Sequence, residues 1–330
     1  MTTLVLLAAA LGLVVLPGAA VCVAAGTRWR VAVAAGPALT LAIVAAGTAV
    51  TSATDSRWGP LAAAVATLAA ILLAAAVGAA PRLAARRRAR SAVPGDDGSR
   101  DAEPGVIGFR DDDEARDRRR YPNAADLVVA LLSLVPAVQV TVATRGLTAI
   151  PQQWDAIFHG AATRFIAETG RAGPLDLGPV SQPANPTFYY PGGYHALATL
   201  LTGLPGGPPP GALDALSAVT GTVFVLGAAA LTGRLCRSRV AAVVAAVVAA
   251  SLWIFPYSVL GNGPVLPYAI GLAAIPGLML LAEHLAARSP RSVPHALLLG
   301  SGVAGTWAVH PSVSLAVALP LVAAAVAGFV

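Results

Sequence analysis

The chain has 330 residues, of which 56% are hydrophobic and 12% charged, with a mean hydropathy of +0.72. A soluble domain carries about twice that charged fraction, so the composition excludes an ordinary soluble protein. The formal charge of +6 comes from 22 basic residues, all arginine, lying between apolar runs; this is the pattern of orientation signals in a membrane protein, not of a nucleic-acid-binding surface.

Apolar runs of roughly 20 residues recur, each long enough to cross a hydrocarbon core of about 30 Å. They predict spans at 3–25, 31–51 and 60–80, then at 124–144, 212–233, 240–258, 265–285, 294–309 and 312–330. The first run lacks the basic start of a cleaved signal and reads as a retained span. Residues 1–80 thus form an N-terminal unit of three transmembrane helices. Residues 81–120 follow, with Arg82, Arg86, Arg87, Arg88 and Arg90, the acidic run 111–114 and Arg118, Arg119 and Arg120. Mixed charge with Gly, Pro and Ser buries too little apolar surface to offset ordering, which predicts a disordered cytoplasmic linker. Residues 121–330 form a second helical unit with a long polar loop at 145–211, and the apolar run at Val330 predicts further spans or an outer soluble domain beyond it. The expected fold is an all-α polytopic transmembrane bundle. Cys22 and Cys236 are far apart and lack partners at metal-ligand spacing, so neither a disulfide framework nor a zinc site is expected.

Arginines beside spans mark the cytoplasmic side. Arg28 and Arg30, the linker arginines, Arg234, Arg237 and Arg239, and Arg288 and Arg291 all fall on one side if residues 191–204 do not cross the membrane. That segment is too short to span and is stopped by the Pro-rich run 205–210, so it reads as an interfacial or re-entrant helix. The loop 145–211 and His310 are then extracytoplasmic.

Within that loop, Pro151 opens a helix over about 152–169 that Gly170 stops. Asp155 and His159 are four residues apart and share a face. Trp154, Phe158 and Phe165 favour an apolar face that would lie on the membrane surface. Asp155 beside a histidine suits a general base toward a sugar or lipid hydroxyl, or a divalent-cation ligand; the plainer reading is that it caps the helix and His159 bonds to it. The segment Tyr189-Tyr190-Pro191-Gly192-Gly193-Tyr194-His195 starts a second loop helix, with His195 in its first turn, where a helix N-terminus favours anions. The tyrosines are equally explained as interfacial anchors. His310 interrupts an apolar stretch on the same side, as a ligand contact or as a polar span end. Arg145 and Arg164 are the outer cations best placed to pair with phosphate, whereas Asp214 reads as a helix-start charge. There is no phosphate-binding glycine loop and no nucleophile elbow.

Three features, Trp154-Asp155-x-x-Phe158-His159 after a span, Tyr190-Pro191-Gly192-x-x-His195 in the same loop, and His310-Pro311, resemble a family of actinobacterial multi-spanning proteins related in layout to the GT-C glycosyltransferase superfamily. The resemblance covers about residues 124–330. It implies a GT-C-like core whose outer loop carries two interfacial helices, a polyprenyl-phosphate sugar donor, an extracytoplasmic glycan or protein acceptor, and often a divalent cation (Mg or Mn). By that likeness Asp155 is the catalytic or metal-binding acid, and His159 and His195 are donor or metal contacts. Trp154, Tyr190, His310, Arg145 and Arg164 complete the expected substrate site. The expected function is a membrane glycosyltransferase of cell-envelope assembly, binding membrane lipid and no nucleic acid. Two alternatives stand beside it: a transporter or flippase of a lipid-linked or small polar substrate, and a non-catalytic membrane assembly protein.

Overall fold

A computed structural model describes residues 2–91, 124–150, 153–263, 265–287 and 293–327. Among the described residues every regular element is a helix. In chain order these are α1 (Thr2–Ala24), α2 (Trp29–Ala53), α3 (Pro60–Ser91) and α4 (Ala124–Ala143). The loop elements α5 (Trp154–Thr169), α6 (Gly178–Ser181) and α7 (Gly193–Thr199) come next. Then follow α8 (Pro209–Leu235), α9 (Arg239–Ser251), α10 (Leu266–Ala286), α11 (Val293–Trp307) and α12 (Pro311–Ala327). A π-helical turn at Trp253–Ser258 prolongs α9 toward Gly261.

Among the described residues seven stretches are long and apolar enough to cross a membrane: α1, α2, α3 over Pro60–Ala79, α4, α8, α9 with its extension to Gly261, and α10. The protein is a multi-pass membrane protein with a helical-bundle fold. The expected spans at 294–309 and 312–330 correspond to α11, with 15 residues, and α12, with 17, separated at His310; residues 288–292 before α11 and 328–330 after α12 lie outside the described residues.

The stretch read as a linker begins as helix, because α3 runs on to Ser91; its Leu, Ala and Arg residues are all strong helix formers. Residues 92–120, where the rest of the expected disorder falls, lie outside the described residues, as do Arg288, Arg291 and residues 328–330.

α2 is the central helix. Of its span, 72% is buried, against none of that of α3. It packs against α1, α10, α11 and, at one end, α7. Small residues allow this closeness, as is usual where lipid offers no hydrophobic drive for helices to associate. A Cβ on Gly18 of α1 would lie 2.0 Å from the Gly36 carbonyl oxygen of α2, and the Gly18 N–H donates to Thr40 Oγ1 at 3.0 Å. The N-terminal helices and residues 121–330 share one core, in which Leu6, Leu41 and Trp58 cluster with Tyr194, Leu213 and Ile270.

The bundle has two unlike ends. At the loop end, Trp58 N–H donates to Gly170 O at 2.7 Å and Gly193 N–H to Ala308 O at 3.1 Å. At the other end lie the turns carrying Arg28, Arg237 and Arg239, and Arg234 pairs with Glu283 at 3.0 Å.

Candidate functional site

The chain leaves α4 through a left-handed turn in which Arg145, Gly146 and Leu147 all have positive φ. The next helix is α5, whose C-terminal end follows the sequence signal, while Pro151, expected to open it, lies outside the described residues. Gly170 at φ 73 ends it, its N–H bonding to Ile166 O. Gln153 is the N-cap position and Asp155 lies in the first turn, so Asp155 is not the cap; there its charge is favoured by the helix dipole. Phe158 and Phe165 are half-buried and pack against the protein core, while Ile157 is exposed.

The second loop helix, expected as interfacial or re-entrant, is α7. It has seven residues, all buried, and packs between α2, α5 and α8. An apolar composition is the same whether the partner is lipid or protein, so its protein partners could not be read from the sequence.

Asp155, His159, Tyr190 and His310 converge on one cleft of about 270 Å³. Ser181 and Gln182 at the end of α6 line it too, with Phe158, Phe188, Val265 and Pro267 as its apolar walls. Asp155 is exposed to it, whereas His159 is buried. His195 lies one layer beneath: His159 Nδ1 and His195 Nε2 are 2.9 Å apart. Tyr194 stands edge-on to both imidazoles, and Phe158 packs against both from another side. Tyr190 meets Phe158 edge-on, with ring centroids 4.8 Å apart. His310 is held by Ser312 Oγ, 2.8 Å from its Nδ1, and by the ring of Tyr268.

Burial keeps these groups neutral. It holds the His195 imidazole well below its ordinary value, with His159 adding to the effect. It lowers His310 as well. Burial and then the Asp155 carboxylate push the Tyr190 phenol up, and burial and then Asp214 do the same to Tyr194. The cleft therefore sets the Asp155 carboxyl group beside a neutral phenol, Tyr190, and a neutral imidazole, His310.

Other expected site residues sit elsewhere. Arg145 is exposed in its turn, outside the cleft lining. Arg164 points outward and pairs with Glu168 at 2.7 Å. The Trp154 side chain lies outside the described residues. Among the described residues no group of three His, Cys, Asp or Glu side chains is placed to hold a metal ion, and His159 already uses Nδ1 toward His195.

Asp214 is the residue that sequence reasoning undervalued. It is 2% exposed, lies beside Tyr194, and its Oδ2 has no hydrogen-bond partner among the described residues. The available signal was its position inside an apolar helix, where an ionisable group is costly to keep. Ser181, Gln182 and Phe188 were not singled out at all, because nothing local marks a loop residue as facing a cleft.

No curated protein and no solved structure matches the chain. Residues 11–330 match a family of unknown function, DUF6541, and the chain belongs to that family.

Proposed function

We propose that the protein is an integral membrane glycosyltransferase that moves a sugar from a polyprenyl-phosphate carrier to a hydroxyl acceptor at the extracytoplasmic end of the bundle. The observation that carries this reading is the convergence of Asp155, His159, Tyr190 and His310, from three separate chain segments, on one cleft at the loop end of the bundle. Asp155, open to the cleft, takes the proton of the acceptor hydroxyl as it attacks the anomeric carbon. The carbon–oxygen bond to the carrier phosphate breaks, and the phosphate leaves with the bonding electrons. Such proton transfer contributes roughly 10²–10⁴-fold to rate. Direct attack inverts the anomeric centre.

The lining supports a neutral polyol as the group held inside. Phe158 and Phe188 offer apolar faces, and Ser181, Gln182, Tyr190 and His310 offer neutral hydrogen-bonding groups. No arginine is among the cleft's described lining residues, so the carrier phosphate sits at the mouth and its tail runs along the lipid-facing helices. The reading routes no step through a divalent cation, given the donor set described above.

A transporter would place broken helices around a central site. The break after α9 instead turns Trp253 and Ile254 outward, 68% and 76% exposed, and this favours the enzyme. The test is transfer of labelled sugar from polyprenyl-phosphate donors by protein in lipid nanodiscs. Asp155→Asn is expected to lower kcat by about 10² or more while donor binding persists. A variant as fast as the wild type overturns the role of Asp155, and no transfer from any lipid-linked donor overturns the reading.

A further inference from the structure

The turn between α2 and α3 carries Arg57 and Trp58 to the two helices that form the floor of the cleft. The Arg57 guanidinium donates to Glu168 O at 2.8 Å, and the Trp58 N–H donates to Gly170 O at 2.7 Å. Both bonds hold the C-terminal end of α5, where the last carbonyls of a helix lack partners of their own. The Trp58 side chain makes a third bond. Its indole Nε1–H donates to Ala196 O of α7 at 2.9 Å, inside the core, where Trp58 is 4% exposed.

The backbone of α7 is shaped to receive that bond. A continuing α-helix would bring the Leu200 N–H to Ala196 O. Here it goes to Leu197 O at 3.2 Å, and the Leu201 N–H goes to Ala198 O at 3.0 Å. The tightened end releases the Ala196 carbonyl in the interior, where such a group needs a donor. An indole nitrogen is a donor only, so the two are matched. Ala196 directly follows His195, which lies 2.9 Å from His159. One residue therefore holds α5, with Asp155 and His159, through its backbone, and α7, with His195, through its side chain.

We propose that Trp58 is a positioning residue of the cleft: by bonding α5 and α7 at once, it sets where Asp155 and His159 stand. α5 and α7 also meet directly, at the two histidines and where Thr199 Oγ1 donates to Thr163 O at 3.3 Å. Trp58 ties that pair to the end of α2, the central helix. It lies outside the cleft lining and touches no ligand. The N-terminal helices then belong to the functional unit, although the likeness noted from sequence begins only near residue 124. The proposal deepens the transferase reading and rests on it only for the reaction whose rate is affected.

The test places 3-benzothienylalanine at position 58 of the full-length protein in lipid nanodiscs. This residue has the shape of tryptophan with sulfur in place of the N–H. Trp58→Phe is the second variant, and 5-fluorotryptophan, which keeps the N–H, is the rescue. All three retain the backbone bond to Gly170. The substrate-free readout is nitrogen NMR of ¹⁵N-labelled histidine. Of the five histidines, His159 and His195 should shift in the benzothienyl and Phe proteins, while His284 and His295, at the other end of the bundle, hold their positions. The 5-fluorotryptophan protein should match the wild type. In the transfer assay, the benzothienyl protein should lose about ten-fold in kcat with KM for the lipid-linked donor little changed, because misplacing a reacting group by about 1 Å costs up to about 10² in rate. Unmoved His159 and His195 resonances, or shifts spread over all five histidines, overturn the proposal. Full kcat in the benzothienyl protein overturns it too, as does a benzothienyl protein that does not fold, which makes Trp58 a residue of the bundle's stability alone. If only the Phe variant fails to fold, the benzothienyl protein decides. The spectra need no substrate, so the expected shifts without any sugar transfer sink the transferase reading alone.

Discussion

At the scale of single residues, burial without a charged partner gives His195 a measurable signature. Its folded value lies below the ordinary 6.5 because burial disfavours the imidazolium. Below about pH 6.5 the unfolded chain therefore binds a proton that the folded chain refuses, and stability rises with pH there. The contribution is fully present above that value and is lost as the pH falls, with a slope of up to about 1.4 kcal/mol per pH unit. Melting midpoints of the purified protein between about pH 7.5 and 5.5 should show this decline. His195→Gln should flatten it, and an unchanged slope in that variant would assign the acid sensitivity to other groups. His310, lowered in the same direction but only partly enclosed, adds a smaller component. Legibility from sequence is uneven at this scale. Asp155 and His159 are four apart on one helix, so their shared cleft followed from helical spacing. The His159–His195 bond joins residues 36 apart on two helices, and no local pattern encodes that meeting. Arg164 was expected to face a phosphate, but Glu168, one turn away, offers a nearer partner.

At the scale of elements, α5 is held at its end by a close fit that two glycines probe with opposite signs. Gly170 has φ 73, and a Cβ there would lie 2.7 Å from Arg57 Cβ. Gly170→Ala should cost about 1–3 kcal/mol from left-handed strain and overpacking. Gly160, inside the same helix, has open space where its Cβ would stand. Gly160→Ala should stabilise by roughly 0.5–1 kcal/mol, because alanine gives up less backbone freedom in a helix. Melting midpoints of the two variants check both, and equal shifts would contradict the described end of α5. The C-terminal end of this helix was readable because Gly170 is a local stop signal. The character of α7 was not, since seven apolar residues fit a membrane surface and a protein interior alike. The same ambiguity hid the packing of Phe158 and Phe165 against the core.

At the scale of the whole molecule, arginine is unevenly distributed: Arg57, Arg145, Arg164 and Arg171 stand at the cleft end, and a larger group stands at the other. The turns carrying Arg28, Arg237 and Arg239, the Arg234–Glu283 pair and the arginine-bearing last turns of α3 lie at the end away from the cleft. Arginine next to spans is retained on the cytoplasmic side, which is the basis for the proposed outward-facing cleft. The native cysteines provide the test. Cys236 is exposed at the arginine end, and Cys22 is buried. An impermeant maleimide applied to intact cells should label Ala161→Cys, an exposed position on α5, and reach Cys236 only after permeabilisation. The opposite pattern would turn the cleft toward the cytoplasm. The bundle and seven of its spans were legible from run length alone. The shared core of the N-terminal helices with the rest was not, because run length carries no information about which helices touch.

The central place of α2 also has a consequence for how the protein is made. Much of what encloses α2 comes from α10 and α11, which leave the ribosome more than two hundred residues after it. Until then α2 must rest in lipid or against α1 and α3. Gly277, which approaches the Ala34 carbonyl, and Gly305, which approaches that of Ala38, bring the glycine notches that receive the α2 backbone last. Closure of the bundle is thus a late event in biosynthesis, dominated by contacts of high sequence separation, and such contacts form slowly. During that interval a partly inserted chain exposes the same helix face that the finished protein hides, and quality-control machinery has its widest opportunity to recognise it.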